Sequence, residues 1–370
     1  MQMENTNGTG KTNESNNTLP SRVGVIYSDV KREYFPTEEQ YITEKDAEHD
    51  AKLVATYIEK LGIHASIYPA DENLVESLKS DKPEMVFNLV DSIKGYEYLS
   101  SSIPGVCELL NIPYTGADIL GLALTYNKFL VKKLLQQAKV PVPNFQLFYS
   151  ANDPLEINLR FPLISKLNEI HGAVEITKDS VSETEKHLRE RLKYLIETYK
   201  QPVLVEEFIV GREVTAIVLE GLNRKVYLAE KIFDARTDKY VFLTFEDTWL
   251  KDDAHFHYEK CDDLLLKEYV KSAFEVAKLM DYAKLDVRID SSGRYYFIDI
   301  NANPAFGPNE AGTAIGYILE DLYKIPFMDI LQRLILNTLR SPTQDYNGAD
   351  NGNAVLTTNS EGQKVTSINS

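Results

Sequence analysis

The sequence predicts an α/β fold, and three observations lead there. Over residues 22–90 short apolar runs alternate with amphipathic helical stretches in the order strand, helix, strand, helix, strand, which favours a parallel sheet flanked by helices. From Lys284 to Asn301 two stretches of period two flank the turn residues Asp290-Ser-Ser-Gly293 and read as a β-hairpin. Between these regions helical and strand-like runs keep alternating, which fits neither an all-α nor an all-β class.

The elements follow in chain order. Residues 1–20 are polar, low in complexity and without an apolar core, so a disordered tail is expected. The run Gly8-Thr-Gly-Lys-Thr12 mimics a phosphate loop, but Asn5 stands where the first glycine belongs and no strand precedes it. Arg22 to Tyr27 reads as a buried strand. A helix with the stripe Ala47, Ala51, Val54, Ala55 and Ile58 follows, ended by Gly62. Ile63 to Tyr68, a helix around Leu74 to Leu78, and Met85 to Val90 complete the βαβαβ pattern. Leu122 to Ala138 reads as one helix, broken off by Pro141-Val-Pro143. Phe161 to Lys166 is a strand. Ser180-Val-Ser-Glu183 fits a capping box for a helix whose buried stripe is Leu188, Leu192, Leu195 and Tyr199. Pro202 opens the strand VLVEEFIVGRE. Val270, Ala273, Phe274, Ala277 and Met280 mark a helix beneath the hairpin, and an Ile- and Leu-rich helix runs from Phe327 to Leu336. The polar residues 339–370 are expected to form a second disordered tail.

Composition narrows the function. A chain of 370 residues with 43% hydrophobic content supports two or three folded domains. A net charge of −16 argues against a nucleic-acid partner, which demands clustered Lys and Arg, but leaves nucleotide binding open because that needs only a few local cations. No apolar run approaches the ~20 residues of a membrane span. Cys107 and Cys261 match no zinc or redox spacing, so a reduced, cytoplasmic protein is expected. His255 and His257 alternate on one strand face, with no third metal ligand nearby in sequence.

In the hairpin, Leu285, Val287 and Ile289 alternate with Lys284, Asp286, Arg288 and Asp290; on the returning strand Tyr296, Ile298 and Ile300 are expected to share the apolar face, opposite Phe297, Asp299 and Asn301. If Asp290 pairs with Tyr295, the same register sets Asp286 directly opposite Asp299, with Cβ atoms about 5 Å apart. Two carboxylates at that spacing repel unless a cation lies between them. Asn301 adds a neutral oxygen, and an all-oxygen set suits Mg²⁺, especially beside phosphate. A surface hairpin with one solvated face satisfies the same pattern.

The spacing of Asp286, Arg288, Asp290, Gly293, Tyr296, Asp299, Asn301, Asn303 and Pro304 resembles the metal-binding hairpin of the ATP-grasp superfamily, in the branch similar to D-alanine–D-alanine ligase and related carboxylate–amine ligases. The resemblance covers about residues 22–338 and implies three parts: an N-terminal parallel-sheet domain (21–121), a central α+β lid (122–206) and a C-terminal α+β domain carrying the metal-binding hairpin (207–338). It implies ATP and Mg²⁺ as cofactors, with Asp286, Asp299 and Asn301 as metal ligands. Lys128 and Lys166 are implied on the nucleotide phosphates, Glu206, Glu207 and Ile209 along the base, and Glu213 on the ribose. Lys284 stands where the family has an arginine that stabilises the tetrahedral intermediate, and Arg288 is likewise assigned to catalysis. Glu44 or Glu48 is implied on the substrate's amino group.

The chain also departs from the family. In the expected glycine- and serine-rich phosphate loop, Ala173 replaces a serine and Glu175 a glycine, leaving His171 as a candidate phosphate donor. Thr248, before Trp249, replaces a lysine, and Lys251 is a candidate substitute. Glu310 stands where a serine binds the second substrate's carboxylate, which suggests a cationic acceptor. The resemblance implies ligation of an amino-acid-like carboxylate and amine through an acylphosphate, with homodimer formation allowed. Two alternatives stay open: a catalytically weakened ATP-binding protein, and an ATP-grasp kinase acting on a hydroxyl.

Overall fold

The computed structural model describes residues 18–234, 238–251 and 256–340 in full; of 341–370 it describes only a short antiparallel pairing of Thr357–Thr358 with Lys364–Val365. The tail expected over residues 1–17, most of that over 341–370, the run Gly8 to Thr12 and His255 lie outside the described residues. The described residues up to Arg340 form one compact unit.

The first segment contains β1 (Arg22–Tyr27), α1 (Glu38–Ile42), α2 (Ala47–Lys60), β2 (His64–Pro69), α3 (Leu74–Asp81), β3 (Met85–Leu89) and α4 (Ser102–Leu110). Its sheet is parallel in the order β2-β1-β3, the arrangement that the βαβαβ pattern predicts. Gly24 lets the strands close up, because a Cβ there would lie 2.8 Å from the Tyr68 ring and 2.9 Å from Val86. Ala51, Val54, Ala55 and Ile58 of α2 are buried at helical spacing and pack in one core with Phe327, Ile330, Leu331, Leu334 and Ile335, which form the matching stripe of the last helix. Leu19 joins this core from just before β1.

Two helices follow where one was expected: α5 (Ile119–Thr125) and α6 (Lys128–Gln137). The break is Asn127, whose side-chain oxygen accepts from the Leu130 N–H at 3.0 Å and so starts a new helix. The central sheet contains β4 (Phe145–Phe148), β5 (Leu163–Leu167), β6 (Val181–Ser182) and, after α7 (Glu185–Tyr199), β7 (Val203–Glu207), in the antiparallel order β4-β7-β5-β6. Leu188, Leu192 and Leu195 of α7 are buried against it as expected. The helix starts later than the predicted capping box, however: Val181–Ser182 pairs with β5, and Thr184 caps α7 by accepting from the His187 N–H.

The C-terminal sheet has the order β10-β9-β8-β11-β12, all antiparallel: β8 (Gly211–Leu219), β9 (Lys225–Phe233), β10 (Phe256–Cys261), β11 (Tyr282–Asp290) and β12 (Tyr295–Asn301). α8 (Phe245–Trp249) lies between β9 and β10, and α9 (Leu264–Val276) precedes β11. α10 (Ala314–Gly316) and α11 (Phe327–Arg340) end the unit. α9 buries Val270, Ala273 and Phe274 in one core with Leu285, Val287 and Ile289 of the hairpin. Leu122, Val131 and Leu135 of α5 and α6 belong to that same core.

The hairpin closes one residue away from the expected register. Ile289 pairs with Tyr295 and Val287 with Phe297, and a bulge at Ile298 then restores the pairing of Asp286 with Asp299 and of Lys284 with Asn301. The bulge also exchanges faces: Phe297, fully buried, shares the core with Ile300, whereas Tyr296 and Ile298 do not.

Candidate active site

The strands bring the predicted carboxylates and lysines together where the central and C-terminal sheets meet. Asp286 and Asp299 are direct partners in neighbouring strands, as expected, and Asn301 follows on the same face, its amide donating to Asp299 at 3.2 Å. Asp286 accepts from the Thr215 hydroxyl at 2.7 Å, pairs with Lys284, and lies 3.7 Å from Lys231. Burial raises the Asp286 pKa, and the two lysines outweigh it and hold the group ionised well below the usual carboxylate range. Asp299 is lowered too, with Lys128, His171 and Lys284 opposing its burial. Two ionised carboxylates and an amide oxygen on one face are a donor set that fits a hard divalent cation.

Glu206, 1% exposed, receives Lys132 at 2.8 Å and Lys166 at 2.6 Å. Burial raises its pKa and the two ammonium groups more than reverse that. Lys132 was missed from the sequence; the available signal was its position one helical turn after Lys128 on the same face of α6. It also donates to the Phe297 and Ile298 carbonyls, which the bulge turns toward it. Lys128 is buried and donates to the Ile170 carbonyl at 2.7 Å, which ties α6 to the loop after β5. Its pKa is lowered by burial, against the pull of Asp299 and Glu97.

That loop carries Ala173 and Glu175, which stand where the family has serine and glycine. Ala173 and Glu175 both have left-handed backbones, with φ of 58° and 63°, the conformation that a glycine-rich loop adopts most readily. The Glu175 carboxylate points toward α7: Tyr194 and Tyr199 donate to it at 2.7 and 2.9 Å, and Arg191 pairs with it at 3.0 Å. At Gly172 a Cβ would fall 2.6 Å from Thr43, and the Trp249 indole donates to the Gly172 carbonyl at 2.7 Å. His171 holds Glu97 at 2.6 Å. Thr248 bonds the Thr244 carbonyl within α8, and Lys251 pairs with Glu246 and Asp247 there.

Glu213 pairs with Lys231 at 2.6 Å and with Arg288 at 2.8 Å. Arg288 is buried, also donates to the Ile209 and Val241 carbonyls, and lies over the Phe208 ring at 4.7 Å. Arg288 therefore anchors the strand connection Ile209–Gly211, while Glu207 accepts from the Arg160 backbone at 2.8 Å. Lys231 was also missed from the sequence, because only the β8–β9 register sets it opposite Glu213.

Of the substrate candidates, Glu44 is buried and accepts from Ser92 at 2.7 Å. Burial, with Asp91 and Glu97 nearby, raises its pKa well above the usual value. The structure does not bring Glu48 or Glu310 to this cluster. Glu48 is exposed on α2 and pairs with Lys52 at 2.6 Å. Glu310 is exposed beside Tyr57 of α2, because the loop after Pro304 is pinned by Glu320 and Asp321 at Asn309.

Residues 134–310, which take in the central sheet and the hairpin, match the family model of the D-Ala D-Ala ligase C-terminus. Two solved structures of D-alanine–D-alanine ligase from Bacillus anthracis, one of them complexed with ATP, superpose with TM-scores of 0.66 and 0.64 at 18% identity; each covers 86% of this chain, and the chain covers 97% and 98% of them. The chain has the fold of D-alanine–D-alanine ligase, and residues 134–310 resemble the C-terminal part of that family. Among curated relatives, the D-alanine–D-alanine ligase of Aquifex aeolicus is 26% identical, covering 68% of this chain and 83% of the relative. The uncharacterized protein y4sG of Sinorhizobium fredii is 27% identical, covering 70% of this chain and 80% of the relative. No helix among the described residues is long and apolar enough to cross a membrane.

Proposed function

We propose that this protein is an ATP-dependent carboxylate–amine ligase. The observation that carries the reading is the convergence of Lys128, Lys132, Lys166 and Glu206 from the lid side on Asp286, Asp299 and Asn301 of the hairpin. A polyanion inserted there meets three lysines whose charge is now balanced by Glu206, backbone carbonyls and Asp299. Glu213 supplies acceptors for the ribose hydroxyls, and the Glu206–Ile209 segment lies along the base.

In the proposed reaction a substrate carboxylate oxygen attacks the γ-phosphorus of ATP, and the bond from that phosphorus to the β–γ bridging oxygen breaks. ADP leaves and an acylphosphate forms. The amine nitrogen of the second substrate then adds to the acyl carbon, loses a proton, and expels phosphate to leave the amide. Lys128 and Lys166 orient and neutralise the phosphoryl oxygens, and Lys284 balances the oxyanion formed when the amine adds. Asp286, Asp299 and Asn301 would hold Mg²⁺, which would supply Lewis-acid polarisation of the transferred phosphoryl group. Glu44 would hold the ammonium group of the first substrate.

Incubation with ATP, Mg²⁺ and pooled D- and L-amino acids, with ADP measured and products identified by mass, tests the proposal. An amide-linked product with stoichiometric ADP is the expected result. A phosphate ester identifies a kinase instead, and nucleotide binding without turnover identifies an ATP-binding protein that has lost catalysis.

A further inference from the structure

Ligation releases a proton, because the nitrogen of an attacking amine carries one hydrogen more than the amide product keeps. His171 is built to receive one. Its backbone N–H donates to both oxygens of Glu97 at 2.9 and 3.0 Å, and its ring Nδ1 lies 2.6 Å from Oε2 of the same carboxylate. A carboxylate accepts and does not donate, so Nδ1 carries the hydrogen and Nε2 keeps its lone pair. The ring is thereby an acceptor at Nε2, and not the phosphate donor expected from the sequence. Among the described residues Nε2 makes no hydrogen bond, and with the side chain 18% exposed the lone pair is within reach of a bound molecule.

The neighbours of the imidazole fix its place. Tyr126 packs edge-on against it, with ring centroids 5.3 Å apart, and the Tyr126 hydroxyl donates to the Asp91 carbonyl at 3.3 Å; the next residue, Ser92, donates to Glu44. The imidazole also lies within electrostatic reach of Asp299, and Lys128 donates to the carbonyl of the preceding residue, Ile170. An amino-acid substrate whose ammonium is held by Glu44 has its carboxyl carbon two bonds away, and the phosphoryl group it takes must reach Asp299. The acyl carbon therefore belongs between Glu44 and Asp299, and His171 lies between them too. We infer that His171 is the general base of the amine step, with Glu97 as its positioning residue. As the amine nitrogen forms its bond to the acyl carbon, one N–H proton passes to Nε2. The carbon–oxygen bond to phosphate breaks, and phosphate departs with the electron pair. The imidazolium is stabilised beside Glu97 and returns its proton to water after the product leaves. This inference rests on the ligase reading above and assigns the proton of its second step.

Hydroxylamine separates the two half-reactions, because it is unprotonated near neutral pH and captures an acylphosphate as a hydroxamate without help from a base. The full chain is given ATP, Mg²⁺ and pooled D- and L-amino acids, with and without hydroxylamine, and hydroxamate and amide are measured by mass. The wild type is expected to form both. His171→Gln is expected to lower amide formation by about a hundredfold or more, the usual contribution of a general base, while hydroxamate formation falls far less. Glu97→Gln keeps the imidazole and removes the charge that steadies its protonated form. It is expected to show the same split more weakly, and it decides the matter if His171→Gln does not fold. Undiminished amide formation in His171→Gln, or amide and hydroxamate falling together in a folded variant, overturns the inference while leaving the ligase reading intact. Hydroxamate without amide in the wild type also overturns it, since no amine is then deprotonated in this site. A wild type that forms neither product overturns both.

Discussion

Asp286 and Asp299 face each other across the hairpin although the turn that joins their strands closes in a different register, because the bulge at Ile298 shifts the pairing by one residue between them. The opposition therefore depends on the bulge, since the register of the turn alone would set Asp286 opposite Ile298, and it places two ionised carboxylates on the side of the sheet that meets the lysines. Asp299→Asn keeps the shape and removes one of the two like charges. It is expected to lower Mg²⁺-dependent turnover by at least about a hundredfold, the scale of one transition-state contact, while the thermal midpoint stays within a few degrees of wild type. Full turnover in this variant would remove the hairpin from the chemistry.

Glu175 sets two effects against each other. A left-handed backbone costs a non-glycine residue about 1 kcal/mol, which Glu175→Gly relieves. The substitution also removes the acceptor for Tyr194, Tyr199 and Arg191, and breaking a buried charged pair costs roughly 3 kcal/mol. The second effect wins, so Glu175→Gly is expected to destabilise by about 2 kcal/mol net in chemical denaturation, with little change in nucleotide affinity. Glu213→Ala is expected to show the opposite balance in calorimetry, losing most nucleotide affinity. A Glu175→Gly chain that keeps its stability and binds nucleotide more tightly would return the carboxylate to the phosphate loop.

The parts that could be read in the sequence are those that local pattern specifies. Alternation gave the parallel strands and the hairpin, and helical spacing gave the stripes of α2 and α7; the facing of Asp286 and Asp299 is as counted, although the counted pairing of Asp290 with Tyr295 is replaced by Ile289 with Tyr295 and the bulge makes up the difference. What stayed hidden depends on a third element. No alternation announces the Ile298 bulge, so Phe297 was assigned to the wrong face, although it is the residue that fills the core. Lys132 and Lys231 resemble solvated lysines until α6 meets β12 and β8 meets β9. Glu310 was misplaced because an offset counted from Pro304 assumes a loop path, and Glu320 and Asp321 hold that loop elsewhere. The direction of the Glu175 carboxylate stayed hidden because its partners Arg191, Tyr194 and Tyr199 lie a full helix away in sequence.

Asp91 offers a pH test of the acidic cluster around Glu44. Burial first, then Glu97 and Asp50, raise its pKa from 3.8 to about 7 in the folded protein. The sign follows from linkage: between the unfolded and folded values the native state binds more protons, so this group's contribution declines as pH rises from about 4 to 7. Asp91→Asn is expected to raise the denaturation midpoint relative to wild type at pH 8, with the difference closing as pH falls toward 4. Glu44 shifts in the same direction and remains in the variant, so part of the pH dependence persists. A constant difference across that range would place Asp91 in solvent.

Lys132 and Lys166 share one carboxylate, yet their surroundings assign them different duties. Lys132 is 3% exposed and, besides Glu206, donates to the Phe297 and Ile298 carbonyls, so its ammonium is committed to joining α6, β7 and the bulge. Lys166 has a side chain 15% exposed near the end of β5 and makes one longer contact of 3.3 Å with the Ile298 carbonyl beyond its pair with Glu206. It is the more readily released toward a phosphate. Lys132→Met is therefore expected to cost roughly 3 kcal/mol of stability, since it leaves Glu206 with half its compensation. Lys166→Met is expected to cost less than half as much, because a group at the surface of the cluster is partly served by water. Nucleotide affinity should move the other way. Losing a charge-assisted contact to phosphate weakens binding by about tenfold to a hundredfold, and this loss belongs to Lys166→Met. Denaturant melts and calorimetry with a nonhydrolysable ATP analogue on both variants separate the roles. If the two variants prove equal in stability and equal in affinity, the pair acts as one undivided cation and the distinction drawn from exposure and carbonyl contacts fails.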